Sequence, residues 1–180
     1  MLYMVECGFS DPAHEKAWND YYTSRKLDEV LAVPGFRTSQ RFKAITAIPA
    51  PYLAIHTVDS LEVMTGNAYR SLGGGNFDRT YQGYITHWHR NLFGGLERAP
   101  VIAEGEFLAV TDQVPGKVSG AGVRFTWLAI AGLDASTPQR GIARIDRAQA
   151  EVLVKTQRGL IDVYAPMMPQ RQEPPGKRAS

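Results

Sequence analysis

The stretch Trp18–Phe42, WNDYYTSRKLDEVLAVPGFRTSQRF, constrains the fold of this chain more than any other. Trp18, Tyr21 and Tyr22 recur at i, i+3 and i+4, which gathers three aromatics on one helical face, and Leu27, Val30 and Leu31 repeat that spacing one step later. The five-residue step from Tyr22 to Leu27 predicts a kink around Thr23 to Lys26. Pro34 disfavours helix at Val33, Gly35 supplies a turn, and Phe36 to Phe42 reads as a strand with large residues at both ends. Helix, tight turn and strand therefore follow one another directly.

The run Asn19-Asp20-Tyr21-Tyr22, the turn Val33-Pro34-Gly35-Phe36 and the strand end Arg41-Phe42 resemble the first helix and second strand of the dimeric α+β barrel superfamily, in particular its EthD-like branch. The resemblance covers the first half of the chain. It implies ferredoxin-like α+β units whose sheets close in pairs. The superfamily includes cofactor-independent lyases and isomerases, small monooxygenases, haem-handling enzymes and plain ligand binders, so it fixes fold more than function. Many EthD-like sequences carry a His four residues after the helix Tyr; Lys26 stands here instead, so no mechanism through that His carries over.

Composition narrows the partners. With a net charge of +2 and scattered Lys and Arg, the chain has no basic stripe to neutralise phosphates, which argues against a nucleic-acid partner. A single cysteine, Cys7, excludes an intramolecular disulfide or a Cys-rich metal site and fits a reducing, cytoplasmic setting. No apolar run approaches the roughly 20 residues that span a bilayer, and Glu6 interrupts the opening apolar segment where a signal sequence would continue, so no membrane partner is expected.

Along the chain, residues 2–9 read as a strand and Asp11-Pro12 as a helix start; residues 51–58 form a third strand. A helix from Asp59 carries Leu61, Met64, Ala68, Tyr69 and Leu72 on one face and ends at Gly73-Gly74-Gly75, a flexible connection able to act as a lid. Residues 85–93 form a fourth strand. That order, βαββαβ, predicts strand order 4-1-3-2 with the first strand central. Strands at 106–113, 123–132, 141–146 and 160–165, a helical piece at 115–122 and a helix at 147–158 echo it. The expected fold class is thus α+β: two ferredoxin-like βαββαβ halves forming an α+β barrel. Residues 1–96 make the first half, which carries the site; residues 105–166 make a degenerate second half. Residues 167–180 form a proline-rich mobile tail.

Three of the four histidines, His56, His87 and His89, fall on the third and fourth strands. Because Leu53 and Ile55 suit a helix layer, alternation directs His56 toward the barrel interior, and Glu6 with it. His56, His89 and Glu6 are the expected catalytic acid/base groups, since imidazole titrates near neutral pH and a carboxylate can orient it. Asn19, Tyr22, Arg41, His87 and Arg90 are the expected substrate contacts; guanidinium groups offer paired donors to carboxylate or enolate oxygens. No cofactor and no metal site is expected. The expected function is a cofactor-independent lyase or isomerase acting by His/Glu acid–base chemistry on a small oxygenated carbonyl or carboxylate metabolite. Its expected partners are that small molecule and a second copy in a homodimer. Alternatives are a non-catalytic small-ligand-binding accessory protein and a metal- or haem-dependent oxygenase.

Overall fold

The computed structural model describes residues 1–118 and 122–174. Strand β1 (Leu2–Phe9) leads to helix α1 (Pro12–Tyr21), which Asp11 caps by accepting from the Ala13 amide at 2.9 Å. At Tyr22–Lys26 the helix widens into a π-helical turn before α2 (Leu27–Leu31). The extra residue in that turn absorbs the five-residue aromatic step, so the kink read from the sequence is a π-bulge. Strands β2 (Phe36–Ala44) and β3 (Tyr52–Val58) follow, then the short helices α3 (Glu62–Thr65), α4 (Asn67–Ser71) and α5 (Arg79–Gln82), then β4 (Ile85–Gly94). The rest comprises β5 (Phe107–Thr111), β6 (Thr126–Leu133), β7 (Gln139–Ile145), α6 (Arg147–Thr156), β8 (Asp162–Pro166) and the two-residue β9 (Arg171–Gln172).

Eight of these strands close into one antiparallel barrel. The first four run β4-β1-β3-β2, with β1 central, and the next four β6-β7-β5-β8. Two seams join the sets: β4 with β6 (Phe93 opposite Ile130) and β2 with β8 (Lys43 opposite Ala165). This overturns the expected α+β pair of ferredoxin-like halves, and with it the resemblance to the EthD-like branch. The molecule is a mostly-β closed barrel, only 25% helical. Between β5 and β6 no helix forms among the described residues, and part of the helical piece expected at 115–122 lies outside them. Edge-to-edge hydrogen bonding replaces face-to-face packing of two sheets. The homodimer expectation loses its basis too, because the barrel leaves neither seam for a second chain to pair.

Three apolar layers result. Leu2, Met4, Leu53, Ile55, Leu128 and Ile142 belong to the cluster inside the barrel. Tyr3, Val5, Cys7 and Ala54, on the opposite side of the same strands, pack with Trp18, Tyr22, Leu27 and Tyr69 of the helices. A third cluster joins Ala109, Ile145 and Val163 to Leu153 of α6. The linker after β4 crosses one end of the barrel, where Gln40 donates to Ile102 O at 2.7 Å and the Ala99 amide donates to Thr57 Oγ1 at 2.9 Å. That end is plugged and the opposite end is the mouth.

Residues 167–174, expected within the mobile tail, run along β2. The Met167 amide donates to Arg41 O, Arg37 forks onto Glu173 at 2.8 and 3.0 Å, and β9 pairs with Thr38 and Ser39. Residues 175–180 lie outside the described part.

Candidate functional site

Strand parity decides which of the expected groups meet. On β1 and β3 the inward side carries Met4, Glu6, Leu53 and Ile55, so Leu53 and Ile55 line the barrel core rather than the helix layer assigned to them from the sequence. His56 is thereby turned outward, opposite Tyr3 in register. It is fully buried, stacks on Tyr3 at 5.4 Å, meets Phe36 edge-on at 5.6 Å, and its Nδ1 is hydrogen-bonded to Ser39 Oγ at 2.9 Å. Burial, with Lys26 nearby, pushes its pKa down to about 3, so the ring is neutral under ordinary conditions. The expected role of His56 as an interior acid/base group is corrected: it is a packed histidine beneath the helices.

Glu6 does face inward, and β4 brings His89 directly opposite it. Between Glu6 and Gly8 the β1–β4 register slips by one residue, with the extra residue on β4. His87 lies in that bulge with φ +47, a left-handed conformation that a non-glycine residue adopts only when its surroundings impose it. Gly8 has to be glycine there, since a Cβ would meet Thr86 Oγ1 at 2.5 Å and Pro49 O at 2.7 Å. Both histidines are exposed at the mouth. With Glu6, Asp162, Tyr164 and residues 48–50 they line a cleft of about 410 Å³.

Beneath the cleft sits a charge cluster. Arg140 on β7 is buried and forks onto Asp112 at 2.7 and 2.9 Å, while its Nη1 donates to Glu6 at 2.8 Å. Burial opposes its charge, yet the two carboxylates hold its pKa above the ordinary arginine value. Asp162, half-buried on β8 and accepting weakly from Thr46 at 3.5 Å, has its carboxyl held above the usual range by burial and then by the charges of Glu6 and Asp112. Tyr164 is pushed far up for the same leading reason. Strand β7 begins at Gln139, two residues before the start expected at 141, and so includes Arg140, whose charge alternating with Ile142 is the signal for it. Asp162, two residues before Tyr164, likewise breaks an apolar strand. Both signals were in the sequence.

The expected substrate contacts divide between two places. His87 is at the mouth. Arg41 is buried under α1, over Tyr22 at 4.1 Å and Trp18 at 5.1 Å, and donates to Asn19 Oδ1 at 2.7 Å and Thr23 Oγ1 at 2.8 Å. Asn19, Tyr22 and Arg41 thus converge, as a hydrogen-bonded support of the helix rather than around open space. Arg90, on the same side of the sheet, lies over Trp88 at 4.8 Å and donates to Gly74 O at 3.0 Å.

A larger cleft, about 850 Å³, opens at the plugged end between Met1, Arg37, Asp59, Glu97, Arg98 and Glu173. Arg37 there is already forked onto both Asp59 and Glu173, so its charge is satisfied within the chain. The mouth carries the richer chemistry. Among the described residues no three His, Cys, Asp or Glu side chains converge to hold a metal ion, and no helix is long and apolar enough to cross a membrane. No protein-family model matches the chain, and no curated protein or solved structure matches it.

Proposed function

We propose that the barrel mouth moves protons on a small carbonyl-bearing molecule, with His89 as the base and Asp162 as the proton donor to oxygen. The observation that carries this reading is the shared cleft of Glu6, His87, His89 and Asp162. Exposed His89 takes a proton from the carbon beside the carbonyl. Asp162, whose pKa is raised by burial and then by the charges of Glu6 and Asp112, gives a proton to the developing enolate oxygen. Proton return to a neighbouring carbon gives a tautomer; loss of a neighbouring hydroxyl gives an elimination. Glu6 stays fixed by Arg140 and faces His89 across the β1–β4 register. With Asp162 protonated, Glu6 and Asp112 against the single Arg140 guanidinium still leave the site net negative, which favours a neutral or cationic ligand over a carboxylate. The sparing use of cysteine, a single buried Cys7, fits a reducing compartment, and the proposed place of work is the cytoplasm.

The second reading, a non-catalytic ligand binder, draws support from the removal of His56 from the proton-transfer set. Deuterium incorporation beside the carbonyl of small ketones in D₂O, followed by NMR, separates the two. Catalysed exchange that falls about 100-fold or more in His89→Gln, the usual scale for an acid/base group, supports proton transfer. Equal exchange by the wild-type protein, the variant and buffer leaves the binding reading.

A further inference from the structure

Outside the barrel, beneath the segment between α4 and α5, two hydrogen-bond donors have been buried without acceptors. They are the indole nitrogens of Trp18 and Trp88, the only buried side-chain polar atoms among the described residues with no partner. An orphaned donor of this kind costs about 1 to 3 kcal/mol, so two in one region are unusual unless something else accepts from them. Both indoles border one ring. Phe77 is 6.2 Å from Trp18, 5.7 Å from Trp88 and 5.4 Å from Tyr22, centroid to centroid.

Phe77 follows a run of three glycines, with only Asn76 between. Gly73, Gly74 and Gly75 all have positive φ, at +84, +60 and +91, and so concentrate backbone freedom just before it. Two cations hold the segment by its carbonyls, Lys26 donating to Asn76 O at 2.8 Å and Arg90 to Gly74 O at 3.0 Å, while the Gly74 amide donates to Tyr69 O and the Phe77 amide to Gln82 Oε1. Lys26 is buried in the π-helical turn and makes no ion pair among the described residues. Tyr3 and Tyr69, hydroxyl to hydroxyl at 3.0 Å, complete a wall that is rich in donors.

We propose that Phe77 occupies the place of a small flat aromatic oxyanion, which binds between Trp18, Tyr22 and Trp88 when residues 73–77 swing outward. The ligand's ring replaces the Phe77 ring, its oxygens accept from the two indole N–H groups, and Lys26, released from Asn76, meets its negative charge. Among the described residues neither indole N–H has an acceptor and Lys26 has no ion-paired carboxylate, which is why the ligand class is an aromatic carboxylate or phenolate rather than an amine. The site lies on the outer face of the sheet and is separate from the barrel mouth.

The three indole N–H signals of ¹⁵N-labelled full-length protein provide the test, because Trp127 packs near α6 and serves as an internal control. 2-Naphthoate is the probe, with naphthalene and cyclohexanecarboxylate for comparison. The expected result is saturable shifts of the Trp18 and Trp88 signals with Trp127 unmoved, tighter binding of 2-naphthoate by at least about tenfold in Phe77→Ala, and loss of the preference over naphthalene in Lys26→Met. Should Phe77→Ala fail to fold, the wild-type titration and Lys26→Met suffice. No shift at Trp18 and Trp88, equal movement of Trp127, or equal binding of naphthalene by the wild-type protein overturns the proposal.

Discussion

Placing His56 under the helices has a measurable thermodynamic consequence. In the unfolded chain its imidazole takes up a proton near pH 6.5, whereas in its buried setting it does so only near pH 3. Between those values the unfolded state binds the proton and the folded state does not, so stability falls as pH falls below the unfolded value and levels off below the folded one. Integrated from about pH 7 to about pH 4, the loss is about 3 kcal/mol, a large share of the stability of an ordinary domain. Urea unfolding of the wild-type protein and His56→Gln across that range isolates the effect, since every other titrating group is common to both. The variant should show an offset of about 1 kcal/mol at neutral pH for its lost stack on Tyr3, and should then lack the extra acid slope. Parallel curves would mean that the ring is not buried neutral, and the corrected position of His56 would be wrong.

Two further outcomes are expected. Arg140→Met strands Glu6 inside the barrel and should cost about 3 to 5 kcal/mol by urea unfolding, while Glu6→Gln in that background should recover most of it; additive single and double variants would contradict the ion-pair assignment. Truncation before Pro169 removes the Glu173–Arg37 fork and the β9 pairing, so Tm should drop by a few degrees; an unchanged Tm would show that this docking contributes nothing.

Much of the local structure was legible in the sequence. The Asp11-Pro12 start, the kink after Tyr22, the Pro34-Gly35 turn and the capping of α6 by Asp146 are short-range events governed by backbone chemistry, and each is where its residues indicated. Closure was not legible, because the β2–β8 and β4–β6 seams pair residues far apart in the chain and leave no local mark. The layer assignment of β3 failed for a related reason. Every residue of Tyr52–Val58 is buried, so alternation showed which residues share a side but not which side faces the barrel. Leu53 and Ile55 suit either layer. The facing of Glu6 and His89 across two strands needs only the β1–β4 pairing, which the order of elements already indicated.

The seams also impose an order in time. When β1 to β4 have emerged from the ribosome they can already pair as β4-β1-β3-β2, but both outer strands of that sheet are future seams. Strand β4 must wait for β6, and β2 for β8, whose residues Tyr164 to Pro166 are nearly the last of the described chain. Two unsaturated edges therefore stay open through most of synthesis, and pairing at such sequence separation is slow. The finished barrel offers neither seam to a neighbour, yet its nascent form is a template for wrong pairing, and chaperone demand should peak before β8 is made.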